Sequence, residues 1–536
     1  MGRSRNLNVY SGPDSVKTYF DPECQPPLPL VEIPESLNPY RGDGVRVYAK
    51  MMSMHPATNV KVMPAMNLLE KGVEQGKTKT IVESSSGSTV ISMAMVARAF
   101  HGIDDVHAYL SNKTSETKIR LMQFFGLKVS LFGGPAQPAP IDERGGICAA
   151  SRRARESESV CSPNQYRNGD NWKSHARWTG PQIYEQLPEI DVIAASMGTT
   201  GTMTGLGTYF KSVKPSVYRL AVCTNEGERV PGPREYSLMD TVRFPYKDAI
   251  DGLEEVGATD SFSMSLDLTR QGIVCGPSSG FTLSGLLQMI GKRKQEGTLS
   301  KLAGPDGEIN CVFICSDLPY QYIDEYFDRL GPEKFAPVRN EQLRNFDKYP
   351  YHDAWECPAS SALSSFFTVH PIPHQASSTL SLATASGSEL SCALVARPNS
   401  QVLDFRRASD FEAFHLPNSV NMPLEALREG AVRGSPFSDP VGDVSMLQEV
   451  WTELESLFTT TARNPAAGAL MAILRGKKVL TLCYDGDCAR VANSVLRAKG
   501  VHSESVLGGY GALAGVQLPC MGGATGNSST VDPVGA

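Results

Sequence analysis

Gly198-Thr199-Thr200-Gly201-Thr202 follows an apolar run at 191–195 and leads into a helical pattern from Thr204. Small residues there let backbone N–H groups converge at a helix N-terminus, which favours a phosphate; a plain glycine-rich turn is the alternative. A second loop, Glu83-Ser84-Ser85-Ser86-Gly87-Ser88-Thr89, has hydroxyls suited to a substrate carboxylate, or equally to capping the helix that follows. A third, Gly276-Pro277-Ser278-Ser279-Gly280, is expected to share the strand–loop–helix placing, and ligands in α/β sheets gather beyond the strand carboxyl ends. Cys483-Tyr484-Asp485-Gly486-Asp487-Cys488-Ala489 is a fourth turn of this kind. A cysteine at such a tip can be held as a thiolate by N–H groups and the helix dipole; the alternative is a small buried hydrophobe.

These loops need a scaffold of strands alternating with helices. Short β-rich runs at 46–51, 79–82, 105–110, 128–132, 191–195, 219–222 and 310–315 alternate with helical spacing, as at 89–100 and 114–125. That alternation predicts parallel βαβ units, an α/β sheet covered on both faces. A Ser/Ala-rich stretch, 351–391, reads as a flexible linker. The pattern then resumes with strands at 402–404 and 478–483 and helices at 411–414 and 489–499. The expected organisation is one domain over 1–350, the linker, a smaller α/β domain over 392–521, and a disordered tail over 522–536.

Composition narrows the function classes. With 41% hydrophobic and 20% charged residues over 536 positions, the chain is long enough for several cores. Its net charge of −6 argues against nucleic acid as the main partner. The longest apolar candidate, 90–97, is too short to span a bilayer, and the first twelve residues lack an apolar signal region. No membrane association and a cytoplasmic location are expected, with a mitochondrial address left open. The 12 cysteines are scattered without paired CxxC motifs, so no metal site is expected.

In order along the chain, the motifs resemble fold-type II pyridoxal-phosphate enzymes of the cysteine synthase and cystathionine β-synthase family. His55-Pro56-Ala57-Thr58-Asn59-Val60-Lys61 is similar to the family's N-P-x-x-S-x-K, Ser85-Ser86-Gly87-Ser88-Thr89 to T-S-G-N-T, and 198–202 to G-T-G-G-T. Gln165-Tyr166-Arg167-Asn168, His175 and Thr179-Gly180-Pro181-Gln182-Ile183 resemble a further block. The resemblance implies two open parallel-sheet subdomains and pyridoxal 5'-phosphate on Lys61, which also moves the α-proton; a surface lysine is the plainer alternative. It further implies that Gly198, Thr199, Thr200, Gly201 and Thr202 hold the phosphate. Ser85, Ser86, Thr89 and Gln165 would hold the substrate carboxylate, Ser88 would flank the ring and Ser278 would face its nitrogen. A neutral hydroxyl at that nitrogen makes the ring a weaker electron sink, which favours β-elimination or β-replacement through aminoacrylate. Asn59, Ser88 and Val90 depart from the family pattern and leave substrate choice open.

The second region resembles a rhodanese. Val402-Leu403-Asp404-Phe405-Arg406, Phe411, Glu412, His415, Pro417, Asn421 and Pro423 follow that family's signature, and Leu507-Gly508-Gly509-Tyr510 its closing segment. The resemblance implies a persulfide on Cys483. Asp485 and Asp487 make the loop acidic where active members carry a cation; Arg490 could compensate, and Cys488 could resolve a persulfide into a disulfide. The expected function is β-replacement on a serine- or cysteine-type amino acid, as lyase or transferase, with sulfur handled by the second domain and sulfurtransferase activity as a further expectation. The alternatives are a cysteine β-lyase releasing sulfide, or a non-catalytic rhodanese-like module binding partners. By resemblance the chain is expected to form a homodimer acting on a small amino acid and a sulfur nucleophile or donor.

Overall fold

Apolar runs with no polar alternation become strands buried on both faces. The computed structural model describes residues 8–85, 87–134, 139–373, 379–427, 434–461 and 464–521. Ser86 and the expected tail 522–536 lie outside them. The chain divides into two compact units, Met1–Ala336 and Pro337–Ala536.

The first unit holds ten strands among its described residues: β1 Leu30–Glu32, β2 Val45–Met51, β3 Thr80–Ser84, β4 Asp105–Ser111, β5 Lys128–Phe132, β6 Val160–Cys161, β7 Val192–Ser196, β8 Tyr218–Thr224, β9 Gly252–Val256 and β10 Ile309–Cys315. They form a six-stranded sheet, β1-β2-β10-β7-β8-β9, and a four-stranded sheet, β5-β4-β3-β6. Every pairing is parallel except β1 against β2. The helices that matter for the site are α1 Val62–Gly72, α2 Ser88–Val96, α3 Gly201–Val213, α4 Ala258–Arg270 and α5 Pro277–Gln295.

Period-two alternation sorts the strand residues between two cores. Val192, Ala194, Cys311 and Phe313 pack with Phe281, Leu286 and Ile290 of α5. Their neighbours Ile193, Ala195, Val312 and Ile314 pack on the other side with Leu206 and Phe210 of α3. A parallel sheet covered twice in this way exposes only its strand ends to ligands.

The second unit is built around a parallel sheet of β11 Glu356–Cys357, β12 Ser400–Asp404, β13 Ser419–Asn421, β14 Lys478–Leu482 and β15 His502–Val506, in the order β11-β15-β14-β12-β13. Its helices include α6 Ala359–Phe366, α7 Gly387–Ala393, α8 Ser445–Phe458 and α9 Asp487–Ala498. Leu447, Val450, Trp451, Leu454 and Phe458 of α8 pack against Val479 and Val495 inside this unit.

The stretch 351–391, expected to be a linker, carries α6 and most of α7. Ala359, Ala362, Leu363 and Phe366 recur at i, i+3, i+4 and i+7 and are all buried. Three small or mid-sized apolar residues among serines hide that period, because alanine weighs little in a hydropathy pattern yet fills a helix contact. Helix α7 starts at a capping box in which Ser386 and Glu389 each accept from the other's backbone N–H. Among the described residues no helix is long and apolar enough to cross a membrane.

Candidate functional site

A cavity of about 400 Å³ opens in the first unit, walled by chain that follows β3, β7 and β10. Lys61, Ser85, Ser88, Thr89, Gln165, Gly198, Thr199, Thr200, Gly201, Thr202 and Ser278 all line it. Of the residues named from sequence for this site, only Ser86 cannot be placed.

Lys61 stands immediately before α1, and its turn is held from both sides. Asn59 Oδ1 accepts from the Lys61 N–H at 2.9 Å and from the Ser92 hydroxyl at 2.9 Å, while its Nδ2 donates to the Ala57 carbonyl at 2.6 Å. The Val60 N–H donates to the Ser316 carbonyl at 2.7 Å. The unusual Asn59 is therefore a clamp on the lysine's backbone. Desolvation lowers the Lys61 amine to about 8, opposed by the negative charge of Asp317. Lys50 is also lowered by burial, to about 7. Its Nζ, however, donates to the Leu28 carbonyl at 2.7 Å and to Gln186 Oε1 at 2.7 Å. Lys50 does not line the cavity, so burial alone does not mark the functional lysine.

The loop after β7 is shaped for close approach. Thr200 has φ +66°, a left-handed value that is costly for a β-branched residue and is retained at the start of α3. A Cβ on Gly198 would lie 2.5 Å from the Gly232 carbonyl oxygen, and one on Gly201 would run into the Asn171 carboxamide. Asn171 Nδ2 donates to Thr199 Oγ1 at 3.0 Å and to the Gln165 carbonyl at 2.5 Å. This ties the glycine loop to the Gln165 segment. Thr202 Oγ1 contacts His175 Nε2 at 3.3 Å, and His175 Nδ1 pairs with Thr179 Oγ1 at 2.9 Å. Burial first, and then the charge of Lys61, lowers His175 to about 3, so it is neutral at physiological pH.

After β3, Thr89 Oγ1 donates to Gln165 Oε1 at 2.9 Å. Beneath them Glu83 accepts from the Ser84 N–H at 3.0 Å and the Gln165 N–H at 3.3 Å, and burial raises its carboxyl to about 7. The third loop departs from its expected placing. Gly276 follows α4 and a short connection rather than a strand, and Ser278 and Ser279 belong to the first turn of α5. Gly280 is required there, since its Cβ would strike the backbone of Ser261 and Ser265 in α4.

Asp317, just beyond β10, escaped the sequence analysis because it belongs to no recognisable motif. It lines the cavity, and its Oδ2 accepts from Tyr322 at 2.7 Å and Gln321 at 3.1 Å. Burial raises it to about 6, with Tyr322, Lys118 and Lys61 pulling it back. Glu83 and Asn171 were likewise unforeseen as supports.

In the second unit Cys483 follows β14 directly. Its Sγ accepts from the N–H groups of Gly486 at 3.2 Å and Ala489 at 3.3 Å, and its thiol faces Asp485 Oδ1 at 3.5 Å. Gly486 has φ +102°, and a Cβ there would press on Val506 O and the Gly508 N–H. The Tyr510 N–H donates to the Cys483 carbonyl at 2.8 Å and the Gly511 N–H to that of Tyr484 at 3.0 Å, which fixes the loop from below. Asp404 and Arg406 form a buried pair at 2.7 Å, and Asn421 Nδ2 donates to the Asp404 and Arg406 carbonyls. Those signature residues scaffold the loop rather than line it. Arg490 does not serve as the loop's compensating cation: its guanidinium lies 2.7 Å from Glu356. Among the described residues no group of three or more His, Cys, Asp or Glu is arranged to hold a metal ion.

Comparison with known proteins adds two family matches: pyridoxal-phosphate dependent enzyme over residues 24–301 and rhodanese-like domain over 389–514. Cysteine synthase B of Pseudomonas aeruginosa is 29% identical over 245 residues, covering 45% of this chain and 79% of that protein. N-(2-amino-2-carboxyethyl)-L-glutamate synthase of Ralstonia nicotianae is 26% identical over 335 residues, 59% of this chain and 92% of its own length. Among solved structures, O-acetyl serine sulfhydrylase isoform 3 of Entamoeba histolytica matches 62% of this chain and 95% of its own at 21% identity, with a TM-score of 0.49.

Proposed function

We propose, for a chain that belongs to the family of pyridoxal-phosphate dependent enzymes, that the first unit performs β-replacement on a serine- or cysteine-type amino acid. The observation that carries this reading is a lysine lowered to about 8 in the same cavity as the glycine–threonine loop and the Thr89–Gln165 pair. The residues present fit the cofactor: a Cβ at Gly198 or Gly201 would close the cradle, and Thr200 holds a strained turn at the N-terminus of α3. Gly198, Thr199, Thr200, Gly201 and Thr202 would hold its phosphate with N–H groups and hydroxyls. Ser278 would offer a neutral hydroxyl to its ring nitrogen, with Ser88 at its edge. When bound, the cofactor supplies an electron sink for charge developing at the substrate's α-carbon.

The chain's own groups do the rest. Ser85, Thr89 and Gln165 bind the amino acid's carboxylate, and Glu83 beneath them keeps that segment in place. Lys61, with its amine lowered to about 8, takes and returns a proton near the α-carbon. His175 stays uncharged and orients Thr202. Both curated relatives described above are named synthases, which supports replacement over simple elimination. The second unit handles sulfur through Cys483, and the functional unit is a homodimer.

The test is product analysis with the purified full chain. O-acetylserine with sulfide is expected to give cysteine at a rate well above the release of sulfide and pyruvate from cysteine alone, and Lys61→Ala should abolish both. Faster breakdown of cysteine than its formation would favour a β-lyase. Equal activity in the lysine variant would overturn the reading.

A further inference from the structure

The cysteine loop of the second unit contains two sulfurs, and both are shut away from solvent. Cys483 is 1% exposed and Cys488 2% exposed. Cys488 occupies the first turn of α9, directly before Ala489, whose N–H donates to Cys483 Sγ at 3.3 Å, and Cys483 is the hydrogen-bond partner of the Cys488 thiol. That hydrogen bond first, then burial, then the charges of Asp485 and Asp487 raise the Cys488 thiol well above its usual value, so it keeps its proton. Carboxylates lie beside the loop, together with Arg407, whose N–H donates to the Tyr484 hydroxyl at 3.2 Å. Asp485 faces Cys483 at 3.5 Å, Asp487 opens α9, and Tyr484 hydrogen bonds to Asp410. Arg490, the cation nearest in sequence, is held by Glu356.

This arrangement opposes the usual fate of a protein persulfide. An external acceptor would have to enter the enclosed loop in a second encounter, after the donor has left. An internal thiol already hydrogen bonded in the loop needs no approach, and intramolecular placement replaces a second-order step with a first-order one.

We propose that the second unit is a sulfide-releasing site, in which Cys488 resolves a persulfide on Cys483. The proposal rests on the reading that Cys483 carries the sulfane sulfur. In the step, the Cys488 sulfur bonds to Cys483 Sγ as the bond from that Sγ to the outer sulfur breaks. The bonding pair leaves with the outer sulfur, which takes the Cys488 proton and departs as HS⁻. The two cysteine sulfurs are oxidised to a disulfide while the sulfane sulfur is reduced to sulfide. A dithiol reductant then cleaves the disulfide and restores both thiols. Hydrosulfide is also the nucleophile that a cysteine-forming β-replacement consumes, so this step belongs immediately before such a reaction.

The experiment uses the full, pre-reduced chain freed of reductant and exposed to either thiosulfate or inorganic polysulfide. Sulfide is read in the thiosulfate arm, and peptide masses are read in both arms. The wild type is expected to release about one equivalent of sulfide per chain without added thiol and to gain a Cys483–Cys488 disulfide. C488S and C488A are expected to keep one added sulfur on the Cys483 peptide and to release sulfide roughly tenfold more slowly. Two replacements are used so that a folding defect in one, checked by thermal melting, leaves the other to decide. If the variants load a sulfur but the wild type also retains it and frees no sulfide, the inference falls while the persulfide on Cys483 stands. If no donor places sulfur on Cys483 in any form, both fall.

Discussion

Removing the cofactor from the first unit and following its recapture as a function of pH tests the environment of Lys61 directly. Only the neutral amine attacks an aldehyde, so the capture rate should track the deprotonated fraction. With a pKa of about 8, roughly 9% of Lys61 is neutral at pH 7 and about 91% at pH 9, a rise of about tenfold that then levels off. A solvated lysine near its ordinary value would rise about 100-fold over the same interval and go on climbing past pH 10. The assay is stopped-flow absorbance at the lysine-bound cofactor band after mixing apoprotein with pyridoxal phosphate from pH 6.5 to 10.5. Borohydride trapping and peptide mass then establish that Lys61, and not Lys50, whose amine burial also lowers, carries the label. Asp317→Asn adds a signed test. Its carboxylate is the charge that holds the Lys61 pKa up, so its loss should move the plateau to lower pH. A rate still climbing at pH 10, label on Lys50, or a plateau displaced upward in the Asp317 variant would each refute the reasoning.

Other consequences concern the loops and the second unit. Gly201→Ala would push a methyl into the Asn171 carboxamide and is expected to weaken cofactor binding by about 10-fold or more, measured by fluorescence titration. Gln165→Ala removes an amide that lines the cavity and that we propose binds the substrate carboxylate, and should raise KM for the amino acid by roughly 10–100-fold with a smaller effect on kcat. Because burial raises Asp317 to about 6, the acid limb of kcat/KM should include an ionisation near that pH, and Asp317→Asn should remove it. Arg406→Ala strands the buried Asp404 carboxylate and should cost the second unit about 3–5 kcal/mol. Its transition in a thermal melt is expected to fall while that of the first unit is unchanged.

Much of this protein was legible in sequence because the informative features are local. Small residues at the end of an apolar run force a tight turn wherever the chain goes, so the loops at 85–89, 198–202 and 483–489 could be placed on strand-to-helix junctions from spacing alone. The parallel architecture follows for the same reason, since continuous apolar runs have no face to spare for water. Where the signal was weak, local pattern failed. The alanines of α6 conceal their period among serines, and the turn before Ser278 follows a helix where the glycine spacing suggested a strand.

Tertiary structure alone decided which residues act together. Lys50 and Lys61 are both lysines in apolar sequence surroundings, and both are lowered by burial. Only the fold separates the one bound to a carbonyl and two glutamines from the one facing a cavity. Asp317 has no motif, yet β10 delivers it to the cavity that Lys61 lines, where its charge opposes the desolvation of that amine. Arg490 looked free to serve the cysteine loop until β11 placed Glu356 against it. Desolvation and pairing belong to the whole surrounding of a group, and that surrounding is assembled from segments far apart in the chain. Sequence therefore located the loops, and the packing of the sheets determined which charges surround them.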